Sequence, residues 1–134
     1  MIKTTRMLCI ALMFVCFTTE AAVAEESKTS DIPQIPTPGL VTMLDLGAHT
    51  CIPCKMMAPI IAELQKEYAG RASVIFIDVW QNREQAQRYG IRAIPTQIFF
   101  NQEGEESGRH VGFLDKENIE AIFKKLGVPQ KGER

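Results

Sequence analysis

The chain has 134 residues, of which 46% are hydrophobic and 23% charged, and a formal net charge of −1. That is room for one domain of ordinary soluble composition, and a balance so near neutral excludes a strongly basic nucleic-acid-binding protein. The four cysteines do not form a disulfide framework either, because Cys9 and Cys16 fall in an N-terminal segment with the parts of a secretory leader.

In that segment Lys3 and Arg6 give a basic start, Met7 to Phe17 an apolar run, and Ala22-Val23-Ala24 a small-x-small site, so cleavage is expected after Ala24. The apolar run falls short of the roughly 20 residues that span a bilayer, which ranks a retained membrane anchor second. Neither Leu8-Cys9 nor Val15-Cys16 carries the small residue of a lipoprotein site. The expectation is a bacterial periplasmic protein with a signal peptide at residues 1–24.

Residues 25–39 form a polar leader followed by Ile-Pro-Gln-Ile-Pro-Thr-Pro-Gly. So many prolines forbid a helix or a central strand, so an extended arm or tether is expected. Leu40 to Leu46 is nearly continuous apolar sequence, the mark of a strand buried on both faces, with Asp45 as its anomaly.

Cys51-Ile52-Pro53-Cys54-Lys55 comes next. A Cys-x-x-Cys that opens a helix sets its first sulfur at the positive end of the backbone dipole, where unpaired N–H groups favour a thiolate. Cys51 is therefore the candidate nucleophile and Cys54, nearly one helical turn on, the resolving partner. A structural disulfide is a poorer reading, since a loop this small contributes little loop entropy. A metal site is open as well, with His49 and His110 as the other soft ligands. His49 could favour the thiolate as an imidazolium or be merely solvated.

Met56, Met57, Ile60, Ile61, Leu64 and Tyr68 then fall on one helical face, with a kink expected at Pro59 and a stop at Gly70. Ala72 to Val79 reads as a second buried strand, with Trp80 packing at its end. Asn82 to Tyr89 reads as a short polar helix capped by Asn82. After Ile94-Pro95-Thr96 come a strand over Gln97 to Phe100, a hairpin turn near Asn101 to Gly104, and a strand ending near Gly112. An amphipathic helix from Leu114 to Leu126 with Asp115 as its cap completes a domain at residues 40–127, and a polar, frayed tail is expected over 128–134.

These motifs together resemble the thioredoxin family over Leu40 to Leu126: the Cys-x-x-Cys-Lys, the helix proline in Met56-Met57-Ala58-Pro59, the segment Tyr89-Gly90-Ile91-Arg92-Ala93-Ile94-Pro95-Thr96, and Gly104 and Gly112 in the hairpin. The resemblance implies an α/β fold, a three-layer sandwich around a mixed sheet. Here the sheet should keep about four strands, because the proline-rich arm stands where the family has its first strand and helix. It further implies that Ile94-Pro95 is a cis peptide beside the disulfide, that its backbone and Gly112 bind substrate, and that Asp45 is the buried carboxylate that takes the proton of Cys54.

Three departures stand out. Thr50 replaces the usual tryptophan before the first cysteine, Ile52-Pro53 replaces Gly-Pro between the cysteines, and no lysine occurs in Ile75 to Asp78 to neighbour the carboxylate. The implied activity is thiol–disulfide exchange without a bound cofactor, reducing protein disulfides as a monomer fed by a membrane electron donor. The rivals are a disulfide-donating oxidase, for whose usual helical insertion this compact chain has no space, and a copper-binding module using Cys51, Cys54 and His110.

Overall fold

The computed structural model describes residues 32–130 and Gly132; the leader, its cleavage site and residues 25–31 lie outside them. The elements run β1 (Val41–Gly47), α1 (Ile52–Glu67), β2 (Ala72–Asp78), α2 (Arg83–Arg88), β3 (Thr96–Phe100), β4 (Glu106–Val111) and α3 (Lys116–Lys125). They build one four-stranded sheet in the order β2-β1-β3-β4. β1 pairs in parallel with β2 and antiparallel with β3, which pairs antiparallel with β4. This is the mixed four-stranded α/β sandwich that the sequence leads one to expect.

Strand periodicity sorts the side chains onto two faces. Val41 and Met43 of β1, Val74 of β2 and Phe99 of β3 point to one side. There they pack with Met57, Ile61, Leu64 and Tyr68 of α1 and with Ile119 and Phe123 of α3. The Tyr68 and Phe123 rings meet edge-on with centroids 5.0 Å apart, a geometry that the ring quadrupoles favour. Leu44, Leu46, Ile75, Ile77, Ile98 and Phe100 point to the other side, under Ala86 and Tyr89. The helix pair is also clasped at its surface by Lys116, whose Nζ lies 2.6 Å from Glu63 and 2.7 Å from Glu67.

The proline-rich stretch, expected as an extended arm or tether, packs from Ile32 onwards as part of the second layer. Ile32 and Ile35 pack on the core that Leu44, Ile77 and Phe100 form. Pro36 lies against the β3–β4 turn, where a Cβ on Gly104 would come within 3.1 Å of its ring. Thr37 then ties the stretch to the strand starts, its N–H donating to Thr42 Oγ1 at 3.0 Å and its hydroxyl to Ser73 Oγ at 2.7 Å. The physical reason is that β1, β2 and β3 are apolar on both faces, and the six-residue α2 is too short to cover the second one.

α1 is one helix that continues past Pro59, where a kink is expected. That proline is exposed, so water can serve the carbonyl that its ring leaves unbonded. Asn82 does occupy the N-cap position of α2 but makes no side-chain cap; its Nδ2 donates to Asp78 O at 3.0 Å instead. Asp115 caps α3 as expected, accepting from Asn118 N at 2.9 Å. The tail is anchored where it leaves α3. Val128 is buried in the α1–α3 core, Tyr68 Oη donates to Gln130 Oε1 at 2.8 Å, and Arg71 reaches the Pro129 carbonyl.

Replacing Ile32 and Ile35 together by Ser removes two half-buried side chains from the second core, and should lower stability in urea unfolding by about 2 kcal/mol. A stretch that merely tethers would leave the midpoint unchanged.

Candidate active site

Cys51 is the N-cap of α1, in extended conformation, with Lys55 N–H bonded back to its carbonyl at 3.0 Å. No side chain caps this end, and Pro53 carries no N–H, so the amides of Ile52 and Cys54 remain for whatever charge develops on the Cys51 sulfur. Cys51 and Cys54 are joined as a disulfide, their Cα atoms 5.2 Å apart. The two sulfurs are unequal in access, because Cys51 is partly exposed whereas Cys54 is only 3% exposed. A substrate can therefore reach Cys51 first.

Cys54 is seated on the sheet by the absence of a side chain. A Cβ at Gly47, the last residue of β1, would stand 3.2 Å from Cys54 Sγ and 3.1 Å from the Phe76 ring. A side chain there would require Cys54 and the Phe76 ring to give way by a few tenths of an ångström. Beside this contact a cavity of about 480 Å³, lined by Ala48, His49, Lys55, Ala58 and Phe76, reaches Cys54 from the β2 side.

One rung below lies Asp45. It pairs in register with Phe76 on β2 and with Gln97 on β3, and Gln97 in turn pairs with His110 on β4. The row Phe76, Asp45, Gln97, His110 thus crosses the sheet on the face that α1 covers. Asp45 and Gln97 are both fully buried. Gln97 Nε2 donates to Asp45 Oδ1 at 2.7 Å, while Asp45 Oδ2 and Gln97 Oε1 have no hydrogen-bond partner among the described residues. Burial pushes the Asp45 carboxyl up from 3.8 to about 6, against the opposing pull of the Gln97 amide. A group with that pKa changes protonation near neutrality and can take or give a proton there.

The approach to Cys51 is held by a second carboxylate. Asp78, buried at the end of β2, accepts the backbone N–H groups of His49 at 2.9 Å, Trp80 at 2.8 Å and Gln81 at 3.2 Å. Burial alone would raise its pKa; those amides, with His49, outweigh it and hold the carboxyl below its ordinary value. It stays ionised, tying the loop before Cys51 to the loop after β2. His49 itself points outward, 68% exposed, with Nε2 3.9 Å from Asp78 Oδ2.

The Ile94–Pro95 peptide is cis, and Pro95 is buried. Gly112 N donates to Pro95 O at 2.8 Å, and Gly112 has φ +104, a region that suits glycine. Val111 and Phe113 on either side of it are exposed, as are Ile52 and Met56 on one face of α1. Met56, expected on the packed face of α1, is 53% exposed, and Trp80, expected to pack at the end of β2, is 57% exposed. His110 Nε2 lies 3.1 Å from Phe113 O. It joins no group of three metal-ligating side chains, since none occurs among the described residues. Sequence reasoning missed Gly47, Asp78 and Gln97. The readable signals were a glycine closing an apolar run and a glutamine opening another, but their roles depend on register.

A family model described as thioredoxin matches residues 37–125. Among curated proteins, the chain is 39% identical over 85 residues to a thioredoxin of Staphylococcus saprophyticus, the match covering 63% of this chain and 81% of the relative. A thioredoxin of Staphylococcus epidermidis is 40% identical and one of Staphylococcus aureus 39% identical over the same length and coverage. The chain belongs to the thioredoxin family, and with its Cys51–Cys54 pair it is a thiol–disulfide oxidoreductase.

The buried carboxyl opposes folding once it is ionised. Below pH 4 Asp45 is protonated in both folded and unfolded chains; between pH 4 and 6 the unfolded chain ionises first, and stability falls. Asp45→Asn should therefore stabilise the oxidised protein by about 3 kcal/mol at pH 7 and by almost nothing at pH 3.5, read from urea unfolding at the two pH values.

Proposed function

We propose that this member of the thioredoxin family reduces disulfides in exported proteins of the bacterial periplasm, and that a membrane protein returns its electrons. The carrying observation is the asymmetry of the pair. An accessible sulfur stands at a helix start, an enclosed one lies behind it, and a carboxyl with a pKa of about 6 is buried on the same face.

The Cys51 thiolate attacks one sulfur of the substrate disulfide. That bond breaks, its electron pair leaves on the other substrate sulfur, and a mixed disulfide forms. Cys54 then loses its proton to Asp45, and its sulfur attacks Cys51. The second substrate sulfur leaves with its electron pair, and Cys51–Cys54 is oxidised. Two electrons have passed to the substrate, and two fresh ones from a donor restore the dithiol. Ile94, Pro95 and Gly112 offer backbone to the substrate chain beside the disulfide, and exposed Ile52, Met56, Val111 and Phe113 give it an apolar surface.

Reduction over oxidation is favoured by the short path from α1 to Pro95, which holds only β2 and the six-residue α2. Export is favoured by the basic start, apolar run and Ala22-Val23-Ala24 of the leader.

Insulin reduction with dithiothreitol should be accelerated by the protein and lost in Cys51→Ser, while Cys54→Ser should accumulate a mixed disulfide visible on a non-reducing gel. Equilibration with glutathione buffers should give a poise nearer the thioredoxin value of about −270 mV than the roughly −120 mV of a strong oxidase; the latter would reverse the direction proposed. Recovery of the full-length product in the cytosolic fraction would sink the localisation.

A further inference from the structure

We propose that Gln97 is a positioning residue for proton transfer: its side-chain amide ties down one oxygen of Asp45 and leaves the other as the single oxygen able to take the proton from Cys54. This rests on the mechanism above, in which Asp45 is the acceptor.

A buried carboxylate ordinarily needs a cation or several donors. The neighbour of Asp45 on β2 is the apolar Phe76, and on β3 it is Gln97. The titratable groups on the elements packed around it are Cys54 and Lys55 of α1, Asp78 at the end of β2, His49 in the loop after β1 and His110 of β4. Among the described residues the one hydrogen bond to the Asp45 carboxylate comes from Gln97 Nε2, at 2.7 Å to Oδ1. Oδ2 has no partner among them.

The amide is also expensive where it stands. Gln97 is fully buried and its Oε1 has no donor among the described residues, a loss that an apolar side chain of similar volume would avoid. Packing does not explain it; the donor does. By fixing Oδ1, Gln97 sets the rotation of the carboxyl, and its N–H favours the ionised form that must exist before Cys54 can be deprotonated. When the Cys54 S–H bond breaks, the electron pair stays on sulfur for the attack on Cys51 and the proton forms an O–H bond at Oδ2. The next reduction of the disulfide returns that proton to Cys54.

The test is a carbon-13 NMR titration of the aspartate carboxyls in the oxidised full chain, the Asp45 signal being assigned by its loss in Asp45→Asn. In Gln97→Leu the Asp45 midpoint should rise by about one pH unit. The acid limb of the insulin-reduction rate should move up with it, so that the rate near pH 6 falls severalfold while that near pH 8.5 is kept. Gln97→Glu keeps the shape, replaces the donor by a second carboxyl, and should raise the midpoint further; it also serves if the leucine variant fails to fold. An unmoved midpoint in the folded variants overturns the proposal. So does a further loss of rate when Gln97→Leu is added to Asp45→Asn, since Gln97 would then act by another route. Failure of the mechanism itself reads differently: the wild-type protein would not reduce insulin, or Asp45→Asn would reduce it normally, whatever the titration shows.

Discussion

The contact on which this structure depends is that between the start of α1 and the end of β1, where Cys54 Sγ occupies the space that a side chain on Gly47 would fill. It brings the positive end of a helix down onto a sheet whose next inward residue on the same face is the carboxyl of Asp45. The result is a gradient of access: a partly open Cys51, an enclosed Cys54, and a fully enclosed acid. Exchange chemistry needs that order, because the group that meets the substrate must be reachable and the group that stores the proton must be sheltered from water.

The rest of the fold maintains this arrangement from both sides. On the α1 side, Met57, Ile61 and Leu64 bury themselves with Phe123 and Ile119 of α3, so the active-site helix is fixed along its length and its first turn inherits that rigidity. On the loop side, Asp78 gathers three backbone N–H groups and holds the segment before Cys51 without using any exposed interaction. On the far face, a proline-rich stretch does the covering that a helix does elsewhere in layered folds. Two isoleucines and a threonine network suffice because the strands beneath it already pair with one another.

Electrostatically, the acid at the centre of the sheet is paired with no cation among the described residues. The row across the strands reads Phe76, Asp45, Gln97, His110, so a neutral amide is what meets the carboxylate. A cation would pull such a carboxyl well down, whereas one amide offsets only part of the effect of burial. That balance leaves the Asp45 carboxyl at about 6, a value suited to the proton-accepting role proposed for it.

Much of this was legible in the chain itself. Apolar runs located β1 and β2, the spacing of Met57, Ile61 and Leu64 located the buried face of α1, and the Cys-x-x-Cys with its later Ile-Pro-Thr located the chemistry, because each is a local pattern imposed by backbone periodicity or by sulfur reactivity. What one residue owes to another far along the chain was not legible. That Gln97 faces Asp45, that Gly47 receives Cys54, that Asp78 holds the loop of His49, and that Ile35 and Val128 are buried where an arm and a tail were expected all follow from strand register and layer closure. The sequence by itself determined which groups could react; tertiary structure alone decided their neighbours, since a hydrogen bond spanning 52 residues of chain exists only after the strands have paired.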